Sequence, residues 1–282
     1  MSWRHVRGVL LVVLGLSCLG AGCSKLLSPQ SVGVSVLERL PNVTAPTSST
    51  TVVGWSVRGE GIERANVRFS TSTGSDVILY RFDRQKYTFA FEYSTSARSV
   101  AEWLAQAPEA VLALNGVYFQ ESYLPSGWLK TRGRIVGKRS YDFDKSGLLV
   151  LKPSFDLVTE PSRMEREQAR SSEAGQSFPL LIAEGKSQVK EDSGKVARRT
   201  FVGLDKAGRY AYFGVVPYTT ISLYELSVFL EKLPIAWQTV LNLDGGPSSG
   251  LVFRDTELSE RIDSYLTVPN VILVKPKAVS LP

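Results

Sequence analysis

Twice along this chain a helix that opens on a capping box runs into a short apolar strand, and each strand ends in asparagine and glycine. In the first unit Ser99-Val100-Ala101-Glu102 starts a helix whose Val100, Trp103, Leu104 and Ala107 share one face before Pro108 stops it. The run Ala110-Val111-Leu112-Ala113-Leu114 then delivers Asn115-Gly116-Val117-Tyr118-Phe119. In the second, Ser222-Leu223-Tyr224-Glu225 opens a helix with Leu223, Leu226, Phe229, Leu230 and Leu233 on its apolar face and Pro234 just beyond. The run Trp237 to Leu241, with Trp237, Val240 and Leu241 apolar, follows and leads directly into Asn242-Leu243-Asp244-Gly245-Gly246-Pro247-Ser248-Ser249-Gly250. If the two strands are neighbours, their polar ends form one pocket.

The second of these ends carries the densest chemistry. Glycines let backbone amides approach a ligand closely and adopt positive φ angles that a Cβ resists, and successive amides turned one way make an anion-binding concavity. An isolated Asp-Gly-Gly reads as a tight turn in which Asp244 bonds its own backbone. Here an amide, a carboxylate and two hydroxyls flank the glycines between two apolar strands, which is more than a turn requires. For Asn115-Gly116 alone, a bulge with a satisfied asparagine and a ligand contact are equally good readings.

The remaining elements are short. Val67-Arg68-Phe69, the run Val77 through Phe82 and the run Tyr87 through Phe91 read as a β-meander broken at Thr73-Gly74-Ser75 and Asp83-Arg84-Gln85. Residues 155–178 are charged and read as an exposed loop with a short helix; Phe178-Pro179-Leu180-Leu181-Ile182 restores a strand. Residues 198–204 and 210–216 make a hairpin around the turn Asp205-Lys206-Ala207-Gly208. Arg199 in that hairpin either forks onto a phosphate or carboxylate or makes a surface ion pair.

The N-terminus is an export signal. Arg4 and Arg7 precede an apolar stretch over residues 9–19, and Gly20-Ala21-Gly22 precede Cys23, so residues 1–22 are expected to be removed and Cys23 lipidated. Residues 23–53, rich in Ser, Thr, Val and Pro, are expected to tether a folded domain over 54–282 to the membrane. This places the protein in the cell envelope, at the outer membrane if the organism has one. Both cysteines, Cys18 and Cys23, and the single histidine, His5, lie in the leader region up to residue 23. Catalysis by Ser-His-Asp or Cys-His groups and zinc sites of Cys or His are therefore excluded from the domain. The formal charge of +6 includes no Lys/Arg-rich block, so no nucleic-acid partner is expected.

Asn115-Gly116-Val117-Tyr118-Phe119, the Pro-Leu-Leu-Ile strand, Arg199-Thr200 with Gly203-Leu204-Asp205, and residues 242–249 occur in an order that resembles the phosphodiester glycosidase family over roughly residues 54–276. The resemblance implies a single α+β domain with mixed β-sheets and a few amphipathic helices, and cleavage of a sugar from a sugar-1-phosphodiester; no cofactor or metal is expected. On that reading Asp244 is nucleophile, base or oxocarbenium stabiliser, Arg199 holds the phosphate, and Glu121 is the second carboxylate. Substrate contacts fall to Asn115, Gly116, Tyr118, Asn242, Gly245, Gly246, Ser248 and Ser249. The family pattern has glycine where this chain has Val117 and Pro247. Those two positions favour a second reading, an envelope lipoprotein that binds glycans or exopolysaccharide without cleaving them. A third, a metal-dependent phosphodiesterase with Asp244 and Asp205 on a hard cation, lacks a dense carboxylate cluster.

Overall fold

The computed structural model describes residues 53–69, 75–138, 146–254 and 260–278. The leader, Cys23 and all but the last residue of the expected tether lie outside them. In chain order the elements are β1 (Ser56–Gly59), β2 (Ile62–Phe69), β3 (Ser75–Asp83), β4 (Tyr87–Arg98), α1 (Val100–Ala105) and β5 (Leu112–Asn115). There follow β6 (Trp128–Thr131), β7 (Arg134–Gly137), β8 (Gly147–Lys152), β9 (Asp156–Val158), α2 (Pro161–Arg170), β10 (Glu173–Ser177), β11 (Leu180–Ala183) and β12 (Lys186–Ser187). The last third holds β13 (Ala197–Asp205), β14 (Tyr210–Ile221), α3 (Leu223–Lys232), β15 (Trp237–Asn242), a 3-10 turn (Gly246–Ser248), β16 (Leu251–Phe253), β17 (Glu260–Ile262) and β18 (Val268–Pro276).

The strands form three sheets: an eight-stranded sheet β1-β2-β3-β14-β13-β15-β11-β12, and two five-stranded sheets, β7-β6-β10-β8-β9 and β17-β16-β5-β18-β4. Their inner faces share one core. Ile78, Tyr80, Phe82, Val202, Phe213 and Leu241 of the large sheet meet Leu129 and Leu149 of the second and Phe91, Leu112, Leu114 and Ile272 of the third. Each outer face is covered by one helix. Leu226, Phe229 and Leu230 of α3 lie on Val77, Leu79 and Phe201, Val100, Trp103 and Leu104 of α1 on Ala113, Val271 and Leu273, and Met164 of α2 on Trp128, Leu148 and Val150. Strands covered on both sides read as continuous apolar runs, which is why residues 77–82 and 110–114 show little alternation. Both capping boxes form as read, Ser99 with Glu102 and Ser222 with Glu225.

The fold is strand-dominated, and three expectations change. Mixed sheets are replaced by ladders that are antiparallel throughout the described residues. The two helix-strand units explain this. β4 and β5, joined through α1, both pair with β18, which lies between them. β14 and β15, joined through α3, both pair with β13 in the same way. Each unit is a parallel crossover with one antiparallel strand inserted, so its two strands never touch. The meander also divides: β2 and β3 pair, but β4 leaves for the third sheet. Finally, the supposed loop over 155–178 contains β9 and the fully buried β10 beside the expected helix. Its polar side chains are buried because they are bonded. Glu173 accepts from the amides of Arg132 and Phe91 at 2.9 and 3.2 Å, and Gln176 Oε1 from the Trp128 amide at 2.9 Å. Among the described residues no helix is long and apolar enough to cross a membrane.

Candidate active site

The chain leaves β15 in the large sheet at Asn242 and enters β16 in the third sheet at Leu251. Residues 243–250 therefore bridge two sheets, and they pass over the end of β5. The Asp244 amide donates to the Gly116 carbonyl at 3.2 Å, and the Leu243 amide to the Thr200 carbonyl at 2.9 Å. Asn115 fastens both ends of the bridge. Its Nδ2 donates to the Asp244 carbonyl at 2.7 Å, while its Oδ1 accepts from the Gly250 amide at 3.0 Å and the Thr200 hydroxyl at 2.8 Å. The second sheet reaches the same point, where the Ser177 hydroxyl donates to the Asn242 carbonyl at 2.7 Å. The two asparagine-glycine ends thus meet, as ends of strands in different sheets rather than as neighbours in one.

The Asp244 side chain is part-buried beside this junction. Its Oδ1 accepts from the Gly245 amide at 2.9 Å. Burial raises its pKa to about 6, against the opposing pull of the Ser248 hydroxyl and the Gly245 amide. The two hydrogens of Asn242 Nδ2 are shared among the Tyr118 hydroxyl at 2.6 Å and the Phe178 and Leu243 carbonyls at 3.0 and 2.8 Å, whereas its Oδ1 is buried without a partner. The Tyr118 hydroxyl is pushed up to about 12 by burial and by the Asp244 charge, and Arg199 pulls it down. Asp244 and Arg199 thus both act on the poorly solvated Tyr118 hydroxyl.

Arg199 lies at the start of β13, buried, with Nε on the Ile221 carbonyl at 2.9 Å and Nη2 on the Lys195 carbonyl at 2.7 Å. No carboxylate pairs with it among the described residues, and burial lowers its pKa. Of an arginine's five donors, two are committed here. The surface ion pair weighed for it does not form.

The glycines of the bridge have separate reasons. A Cβ on Gly245 would meet the Arg198 carbonyl at 2.9 Å and Arg199 Cδ at 3.9 Å. Gly246 holds φ at +62°, which favours glycine, and opens the 3-10 turn. Its amide and position 247 fall in the first turn, where amides have no partner within the turn. Proline is compatible with that place, since the donor it lacks is one the helix never uses. Gly116 is shaped by Asn270 on β18, whose Oδ1 would lie 2.0 Å from a Cβ there.

The structure thus gathers Asn115, Gly116, Tyr118, Asn242, Asp244, Gly245 and Ser248, with Arg199 alongside. The Ser249 hydroxyl is buried and unpartnered. Glu121 is exposed in a turn closed by the Gln120 and Leu124 backbones and makes no hydrogen bond or ion pair to the others among the described residues. Asp205 caps the turn at the far end of β13, accepting from the Arg209 amide at 3.0 Å. Among the described residues no three carboxylate, imidazole or thiol groups converge as a metal ion would need.

Sequence reasoning missed Thr200, Ser177, Phe178 and Asn270 as parts of the site. Asn270 fixes residues 116–117 by accepting from the Val117 amide at 2.8 Å and donating to its carbonyl at 3.0 Å. The one signal for it was a lone Asn within the apolar run of β18.

A model of the phosphodiester glycosidase family matches residues 108–275. Among solved structures, a hypothetical protein from Synechocystis superposes with a TM-score of 0.59 at 14% identity, covering 80% of this chain and 64% of its own. The zebrafish N-acetylglucosamine-1-phosphodiester alpha-N-acetylglucosaminidase catalytic domain, auto-inhibited by its pro-peptide, gives 0.58 at 15% identity, covering 81% of this chain and 89% of its own. At such identities the likeness is one of fold. No curated protein matches the sequence.

Proposed function

Because the chain belongs to the phosphodiester glycosidase family, we propose that it hydrolyses a sugar-1-phosphodiester, or a related envelope glycan, as an exported protein anchored through a lipid on Cys23. Water adds to the anomeric carbon, the bond from that carbon to the phosphate oxygen breaks, and a free sugar and a phosphomonoester leave. The leaving phosphate is already weakly basic, so proton donation to it matters less than in an ordinary glycoside, where a carboxyl pair is the rule. One carboxylate and a phosphate clamp then suffice.

The observation that carries this reading is Asp244. Its carboxylate, pushed up to about 6 by burial, acts on the same Tyr118 hydroxyl as the buried Arg199, which has no acidic partner among the described residues. Ionised at neutral pH, Asp244 stabilises positive charge at the anomeric carbon or activates the incoming water. Arg199 offers its uncommitted donors to the phosphate. Tyr118 and Asn242 position sugar hydroxyls, and the Gly246 amide completes the anion contacts, while the Ser248 hydroxyl bonds Asp244. Asn115 and Gly116 hold the frame on which these groups stand.

The deciding experiment is release of free sugar from a panel of nucleotide sugars and sugar-1-phosphodiesters by protein starting near Gly54, with Asp244→Asn and Arg199→Ala variants. Turnover by wild type and its loss in both variants supports the hydrolase. Near-normal turnover by Asp244→Asn sinks the assignment. Saturable binding without product supports the alternative of a glycan-binding lipoprotein, which the inward-turned Gly245 amide and the missing donor at Pro247 favour.

A further inference from the structure

Next to Arg199 the pairing of β13 with β14 is irregular. Ala197 faces Ile221 and Arg199 faces Val216, so residues 217–220 of β14 bulge out against the single residue Arg198. Pro217, which donates no ladder bond, suits such a place, and bulges re-aim side chains beside functional sites. Tyr218 on this bulge is 76% exposed. Arg198 beneath it is 7% exposed, and its guanidinium carbon lies 4.2 Å from the ring centre of Tyr265, itself 74% exposed.

Arg198 is held with little compensation beyond the Tyr265 ring. Its Nη2 reaches only the Asp263 carbonyl, at 3.4 Å, and its Nε and Nη1 are buried with no partner, as is the Thr219 hydroxyl. No carboxylate pairs with it among the described residues, and burial lowers its pKa while the hydroxyls of Tyr265 and Tyr218 oppose that shift. A buried cation with donors unmet is costly. The cluster is also built into the bridge: the Arg198 carbonyl abuts Gly245, and the amides of Tyr265 and Leu266 donate to the Pro247 carbonyl at 2.8 and 3.3 Å.

We propose that Arg198, Tyr218 and Tyr265 form the subsite for the group beyond the scissile phosphate, and that this group is a negatively charged sugar- or polyol-phosphate unit. The two exposed rings give a sugar or polyol surfaces to lie on, and the charge of Arg198, paired with no carboxylate among the described residues, draws the next phosphate. The substrate is then a chain of phosphodiester-linked units rather than an isolated diester. This inference rests on the hydrolase reading for the bond that is cut, but not for the ligand that is held.

The test compares kcat/KM for a sugar-1-phosphate methyl diester with that for the same sugar joined to a glycerol phosphate oligomer. Wild type is expected to prefer the oligomer by about tenfold or more, the size of one charge-assisted contact. Arg198→Gln, Tyr218→Ala and Tyr265→Ala are expected to bring that ratio toward one, and added salt to shrink it in wild type. The exposed Tyr218 makes its variant safe from misfolding, with the melting temperature as control. A ratio equal to that of wild type in all three variants overturns the proposal. If wild type cleaves neither diester, the hydrolase reading fails, and calorimetric binding of the glycerol phosphate oligomer decides the subsite. Binding weakened by Arg198→Gln supports it; no binding by wild type, or equal binding by both proteins, overturns it.

Discussion

Asn115 ends β5 with both ends of its amide bonded, Oδ1 taking two donors and Nδ2 giving one. Asn242 ends β15 with Nδ2 engaged and Oδ1 buried without a donor. The sequence pattern around them is the same: capped helix, apolar strand, asparagine, glycine. The difference comes from what each strand end meets. β5 ends beneath the bridge and must hold it, so Asn115 is spent on structure. β15 ends where the bridge begins, and Asn242 faces Tyr118 in the space shared with Asp244. A buried polar group whose partners are all internal fixes a geometry; one left short of a partner marks where a ligand is expected.

The largest effect that would test this division is expected at Asp244. Asp244→Asn should lower kcat by on the order of 10³, the range for a positioned acid-base group, with the circular-dichroism spectrum unchanged. In wild type kcat/KM should rise with pH through about 6 as this carboxylate ionises; a profile flat between pH 5 and 7 would remove it from the reaction. Stability should move the opposite way. The folded protein holds this proton up to about pH 6 and the unfolded chain only to about 4, so stability falls as pH rises between those values, by roughly 3 kcal/mol at most. Asp244→Asn should lack that slope in denaturant titrations at pH 4 and 7.

Next in size is the contrast between the two asparagines. Asn115→Ala orphans two buried donors, the Gly250 amide and Thr200 hydroxyl, and should cost about 3 kcal/mol in urea unfolding. Asn242→Ala strands carbonyls and a tyrosine hydroxyl instead, and unpaired carbonyls are better tolerated than unpaired amides. It should destabilise by about 1 kcal/mol while lowering kcat/KM more than its stability loss explains. Equal stability costs would break the comparison.

Tyr118→Phe should then reduce kcat/KM by about tenfold, the value of one hydrogen bond near a charge, with little change in unfolding midpoint. Smallest of all should be Glu121→Gln. Exposed and without a hydrogen bond among the described residues, it should leave turnover within about twofold, since surface substitutions away from special features cost little. A loss matching that of Asp244→Asn would instead restore a two-carboxylate mechanism.

Both helices, their caps and the strands they precede could be read directly, because capping boxes and apolar periodicity are local signals. β10 could not. Glu173-Ala174-Gly175-Gln176-Ser177 has the composition of a loop, and only the backbone amides of Phe91, Trp128 and Arg132 make its burial affordable. Likewise, nothing in the order of residues says that β18 inserts between β4 and β5, since strand pairing joins segments some 180 residues apart.

By itself the sequence determined which side chains are available for chemistry. A domain with no histidine or cysteine must work with carboxylates, arginine, hydroxyls and amides, and it carries them at two strand ends. Tertiary structure alone decided which of them meet. Burial and hydrogen-bond partners are properties of neighbours distant in the chain, and they set the pKa of Asp244, leave Arg199 without an acid among the described residues, leave Glu121 exposed, and put Asp205 in the turn at the far end of β13.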